Sequence, residues 1–407
     1  MSAIAEPMLD AAAGDRLAKR NAAVLAVTQA LAGGNNAVLV ATGGIVGTML
    51  APDTSLVTLP LTVLVLGTWL GTLPLGVLAR RLGRRNALQI GTACGVLTGL
   101  ICCAAVLTGS FLLFNIGAVF SGFYATAHQS YRFAAADTAS EGYRPKAVSL
   151  VLLGGVAGSV VGPQLVIATK DFWPPYLFAV SYLGQSVLAL IAGGVLALLN
   201  IPKPPPRAVV GDGRPILEIA SEPRFIVAVA CGVAAYSMMN MMMTSAPLAM
   251  VMCNHSVTEA TLGIQWHILG MFAPSLITGT LIARFGIARV TAIGLALLIV
   301  AAVIGIAGIS LWHFWSALAL LGVGWNFAFV GASTLVMQCH RPNERNKVQA
   351  FNDFLVFGSM AISSFSSGAL LVNFGWTAVN EVVFPVVLAA AALLAWGVLR
   401  RGAAPAA

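Results

Sequence analysis

Charge is what this chain has little of. Asp, Glu, Lys and Arg make up only 9% of its 407 residues, against about a quarter in soluble domains, and that scarcity excludes an ordinary water-soluble enzyme. Acids are rarer than bases, 14 against 22, for a net charge of +8. Cysteine is sparse as well. Cys94, Cys102, Cys103 and Cys231 fall inside apolar runs, Cys253 and Cys339 at their edges, and none has metal-ligand spacing. They read as small packing residues. There is no Walker loop, no G-x-S-x-G and no cluster of metal ligands, which argues against an enzyme and against ATP-driven transport. No catalytic residue, metal or cofactor is expected. Acidic and basic residues alternate up to Arg20, so the start of the chain is not expected to be a signal peptide.

What the chain has in abundance is apolar sequence, 58% of its residues. Segments long enough to cross a bilayer lie at about 22–48, 54–79, 87–108, 111–133, 147–169 and 174–199. After a break they resume at about 225–251, 260–283, 288–309, 311–337, 348–373 and 376–399. The reading is an all-α integral membrane protein with twelve transmembrane helices in two six-helix pseudo-repeat bundles, 22–199 and 225–399. Residues 1–21 and 400–407 form tails, and a hydrophilic linker at 200–224 carries IPKPPPR and GDGRP. With twelve spans, 21 of the 22 Lys and Arg residues fall on the side of the termini, Lys170 being the exception. The positive-inside rule makes that side the cytoplasm.

The halves repeat one another. Gly76-Val-Leu-Ala-Arg-Arg-Leu-Gly83 follows the second span and Gly279-Thr-Leu-Ile-Ala-Arg-Phe-Gly286 the eighth, at an offset of 203 residues; Tyr143–Lys146 answers Glu344–Lys347. The stretch GVLARRLGRR resembles the loop signature of the major facilitator superfamily, and the resemblance extends over essentially the whole chain. It departs at Arg80 and Ala283, where that family carries an Asp of its gating network. Gly154, Gly155, Gly158, Gly162 and Pro163 are similar to the family's fifth-span glycine pattern. The resemblance implies alternating access around a midplane site, with Gly76, Arg80, Arg81, Gly83, Arg84 and Arg85, and in the second copy Gly279, Arg284 and Gly286, as gating loops. A side chain at Gly83 is expected to obstruct tight helix packing there.

Polar groups inside a bilayer are costly, so intramembrane ones are candidate contacts. The substrate-binding candidates are Asn35, Asn36, His128, Gln164, Tyr236, Asn240, Trp266, His267, Trp325 and Asn326; for each, an interhelical hydrogen bond is the competing role. Among acids, only Asp353 falls within a span. A midplane carboxylate relay therefore has no candidate, and a strongly charged substrate is not expected. The run Met238-Met-Asn-Met-Met-Met243 could line an adaptable wall, whereas consecutive residues point around a helix and suit a metal site poorly. The stretch Ser237–Gly286 is similar to a bacterial branch of the superfamily that includes riboflavin uptake carriers. That resemblance implies a small neutral aromatic solute, riboflavin first, taken up through the inner membrane by a monomer in the lipid bilayer, with no nucleic-acid partner. An exporter of the same fold and a non-transporting receptor or scaffold stand as alternatives.

Overall fold

A computed structural model gives the architecture and describes residues 5–137, 139–140, 143–201, 213–341 and 344–402. Among these residues there are helices and turns and no strands. The first half contains α1 (Ala5–Leu50), α2 (Leu59–Leu82), α3 (Arg84–Thr108), α4 (Phe111–Gln129), α5 (Tyr131–Asp137), α6 (Arg144–Thr169) and α7 (Ala179–Leu196). The second contains α8 (Ile216–Ala220), α9 (Pro223–Met252), α10 (Val257–Phe272), α11 (Ser275–Phe285), α12 (Ile287–Ala307), α13 (Leu311–Met337), α14 (Arg345–Glu381) and α15 (Val383–Gly402).

Ten described segments are long and apolar enough to span a membrane, eleven when α10 and α11, bent by 41°, count as one. The last, Lys347–Leu399, has 53 residues. At about 1.5 Å rise per residue it is roughly 80 Å long, more than two bilayer crossings. Gly375 breaks it with φ 81° and ψ 179° inside α14, so it supplies both final spans. The sixth span starts later than expected, at Ala179 instead of 174. Pro174, Pro175 and Phe178, the last at φ 68°, hold the chain in turns up to that point, because proline removes a backbone donor. The expected N-terminal tail is helical from Ala5 onward.

Local sequence explains the sharp turns. Between α3 and α4, Gly109 takes the left-handed C-cap conformation and Ser110 accepts a hydrogen bond from Leu113 N at 3.3 Å. Ser256 and Glu259 form a reciprocal capping box at the start of α10.

The chain divides into two compact units, residues 1–43 with 66–206 and residues 44–65 with 207–407. In the first, α6 lies directly on α1. A Cβ at Gly154 would stand 2.1 Å from the Ala26 carbonyl oxygen, and one at Gly162 2.3 Å from that of Gly34. The glycine run is therefore the surface through which two backbones touch. In the second unit α9 is the most enclosed helix. Met238, Met239, Met241 and Met242 are all buried in its core, which places the methionine run in helix packing. The segment 44–65 joins this unit through Thr58 Oγ1, which donates to the Ser364 carbonyl at 3.3 Å, and Thr62 Oγ1, 3.3 Å from Ser364 Oγ.

Candidate substrate-binding and gating residues

The two copies of the repeated loop share one backbone solution. Gly83 sits between α2 and α3 with φ 86° and ψ 156°, and Gly286 between α11 and α12 with φ 87° and ψ 152°. Positive φ with extended ψ is a region that essentially only glycine occupies. The requirement for glycine at both points is conformational; at Gly286, which is exposed, an added Cβ would meet nothing within 4 Å, whereas Gly83 is buried. Gly76 and Gly279 are helical and equally open. Arg84 forms an ion pair with Asp137 at the end of α5. Arg81 and Arg85 are exposed at the same turn, and the side chain of Arg80 lies outside the described residues. In the second copy Arg284 stacks over its neighbour Phe285, 5.3 Å from the ring centroid.

In the first unit the polar candidates divide by whether their hydrogen bonds are already spent. Asn35 is fully buried. Its Nδ2 donates to the Gln185 carbonyl at 2.7 Å, while Gln185 Nε2 returns to the Asn35 carbonyl at 3.0 Å. This reciprocal clasp joins α1 to α7. Asn36, one residue on, is half-buried and its Oδ1 has no partner. Gln29 Nε2 lies 3.5 Å from His128 Nδ1. An amide NH₂ donates, so Nδ1 accepts and the imidazole proton sits on Nε2. That Nε2 and Gln29 Oε1 are buried without partners. Gln164 lies on the exposed face of α6.

The second unit divides the same way. Asn326 is fully engaged: Nδ2 donates at 2.6 Å both to the Met271 carbonyl, at the end of α10, and to Ser275 Oγ, at the start of α11, and Oδ1 accepts from Thr278. It staples the two sides of the bend around Pro274. Asn240 Nδ2 donates to the Met360 carbonyl at 3.3 Å. His267 is fully buried, with Nδ1 2.9 Å from the Leu318 carbonyl. A carbonyl only accepts, so Nδ1 carries the proton and Nε2 is an acceptor with no partner. Trp266 faces the other way and is half exposed, so the adjacent Trp266 and His267 are not brought together.

Three aromatic side chains from two other helices converge around Tyr236. Its ring meets Trp325 edge-on at 5.2 Å between centroids, Phe329 at 4.8 Å and Phe357 at 5.7 Å, while Trp325 and Phe329 are stacked at 5.2 Å. The Trp325 Nε1–H is buried with no acceptor. A buried donor left unsatisfied costs about 1–3 kcal/mol, and an acceptor on a bound molecule would relieve that cost. Phe329 and Phe357 were not among the sequence candidates. Trp325 and Phe329 are one helical turn apart, a readable signal; nothing in the sequence ties Phe357, on α14, to them.

Repeated loops, paired charges at the first and a membrane-spanning all-α fold converge with one comparison. The profile of the Major Facilitator Superfamily matches residues 25–364. The chain belongs to the Major Facilitator Superfamily. This facilitator is 49% identical over 310 residues to the Riboflavin transporter RfnT of Brucella anthropi, covering 76% of this chain and 78% of that protein. It is 30% identical over 328 residues to the uncharacterised MFS-type transporter YdeG of Bacillus subtilis, with 75% of each chain covered. The crystal structure of a D-xylose-proton symporter superposes with a TM-score of 0.72, covering 92% of this chain and 96% of that one at 14% identity; that likeness speaks to the fold. The facilitator is a multi-pass membrane transporter and not an enzyme.

Proposed function

We propose that this facilitator imports riboflavin across the bacterial inner membrane, with both termini in the cytoplasm. The observation that carries the reading is the 49% identity to the Riboflavin transporter RfnT over 78% of that protein. The chemistry of the second unit supports it. The flat ring of riboflavin is neutral and edged with carbonyl and ring-nitrogen acceptors, which suits an aromatic cluster bearing one unsatisfied N–H at Trp325. The acceptor at His267 Nε2 suits a hydroxyl of the sugar-alcohol chain. In the first unit Gln29, Asn36 and His128 keep unspent polar atoms of the same kind. Asn35 and Asn326 act as helix staples in this account, because their hydrogen bonds are internal. The Lys and Arg asymmetry of the loops supports the cytoplasmic placement of the termini.

The purified protein in lipid nanodiscs tests binding directly. Isoalloxazine fluorescence should be quenched saturably on stacking against indole and phenol rings, and unlabelled lumichrome, which keeps the ring and lacks the chain, should compete. Absence of saturable quenching in well-folded protein would contradict the reading.

A further inference from the structure

Arg214, in the GDGRP stretch of the linker, is the hub of a polar network confined to the second unit. Its Nε and backbone N donate to Glu344 Oε1 at 2.9 and 3.0 Å, and Nη2 to Glu344 Oε2 at 2.9 Å. Nη1 is ion-paired with Glu222, and the Arg214 carbonyl accepts from Lys347 Nζ. Arg341 N completes the carboxylate at 2.9 Å. The Glu344 side chain is 0% exposed and that of Arg214 22%, so the fork is shielded from water on its acceptor side.

The position of the two acids is informative. Glu222 is the N-cap residue of α9 and Glu344 that of α14, and neither side chain caps its own helix. Both carboxylates turn instead to one guanidinium. These are the helices that carry Tyr236 and Asn240, on α9, and Phe357 and Met360, on α14, which meet across the aromatic cluster and the Asn240 hydrogen bond. Phe225 and Phe351 also stack between them, 6.1 Å apart. The first half obtains a comparable charged tie from its own loop, where Arg84 follows Gly83 and pairs with Asp137. The second copy has Ile287 after Gly286 and cannot.

We propose that Arg214 is a positioning residue for transport: a linker-borne tie that locks the cytoplasmic starts of α9 and α14 together, so that the two helices presenting the aromatic cluster move as one body. A bidentate arginine suits this task because its planar fork fixes direction as well as distance, which a lysine ammonium does not. The tie also fixes the linker at Arg214, eight residues before Glu222, the N-cap of α9.

The experiment compares wild type, Arg214→Ala and Arg214→Lys by hydrogen exchange of the full-length protein in nanodiscs and by riboflavin uptake in cells, the second arm resting on the substrate reading above. In Arg214→Ala, exchange should rise at least tenfold in 216–222 and in 347–351 together, with α12 and α13 unchanged. Vmax should fall about tenfold with KM within twofold, and Arg214→Lys should fall between. Exchange rising in only one of the two segments, or KM rising tenfold at unchanged Vmax, would overturn the tie. If Arg214→Ala fails to accumulate in membranes, Arg214→Lys decides by the same two readouts. Wild type that takes up no riboflavin would end the substrate reading and leave the exchange arm to judge the tie alone.

Discussion

Gly83 and Gly286 hold the same backbone conformation, φ 86° and ψ 156° against φ 87° and ψ 152°, at corresponding points of the two sequence repeats. The two repeats share a dihedral pair that only glycine adopts without strain, while the charged residues around it differ. Replacing either with alanine is expected to cost about 1–3 kcal/mol in strain and to cripple transport. Gly76→Ala and Gly279→Ala, helical and open, should be neutral or stabilising by up to about 1 kcal/mol. Thermal unfolding in detergent with parallel flux measurements separates the two pairs. Equal effects at all four positions would refute the conformational account.

The contact between α6 and α1 leads to a steric prediction. Gly162→Leu would drive a side chain into the Gly34 carbonyl, 2.3 Å from the position of a Cβ, and backbone cannot step aside cheaply. Membrane abundance of the folded protein should drop severely. Gly194→Leu, on α7 with nothing within 4 Å of a Cβ, should accumulate normally and serves as the control.

Polar residues sort by whether their hydrogen bonds are spent. Trp325→Phe keeps a ring and removes the unsatisfied Nε1–H; it should raise the riboflavin KM about tenfold, the equivalent of roughly 1.4 kcal/mol, without loss of stability. His267→Leu should also raise KM, whereas Asn240→Leu breaks the bond to the Met360 carbonyl and should lower abundance. Asn326→Ala unpins the α10–α11 bend and should lower abundance and melting temperature. Asn35→Ala and Gln185→Ala should be strongly non-additive, because each already breaks the same clasp. A KM effect from Asn35→Ala at full stability would return that residue to the binding site.

Much of the fold was legible in the sequence, for a physical reason. A bilayer demands about twenty apolar residues per crossing, so span number leaves a strong one-dimensional trace. Charge inside spans leaves one too. Which buried amide meets which partner does not: Asn35 and Asn326 look the same in sequence as Asn36, yet the first two are staples and the third retains an open Oδ1. The aromatic cluster was half visible, through Tyr236 and Trp325, and its completion by Phe357 depends on how α9 packs on α14. Arg214 was readable only as linker, since its partners lie 8 and 130 residues away.

The Arg214 network has a defined pH response. The guanidinium beside Glu344, together with the backbone N–H groups of Arg341 and Arg214, holds that carboxyl well below the ordinary glutamate value, while the paired acids push Arg214 further up. A carboxylate with a depressed pKa contributes stability that is fully present above its unfolded value of about 4.3 and is lost as pH falls below it. Between pH 5.5 and 8 the network should stay charged. Glu344→Gln should therefore lower flux across that range without changing the shape of its pH profile. A profile that shifts with this substitution would show that the carboxyl titrates during transport.

Sidedness has its own check. A fluorescent protein fused after residue 407 should fold and fluoresce, since it would remain in the cytoplasm, whereas alkaline phosphatase fused there should be inactive. The reverse pattern would invert the topology.

The most direct test of the account is uptake of labelled riboflavin by a bacterial riboflavin auxotroph that lacks its own importer, with and without this chain. Uptake should be saturable, abolished by excess unlabelled riboflavin and weakened through KM by Trp325→Phe. No uptake above the empty-vector strain, with the protein verified in the membrane, would contradict it.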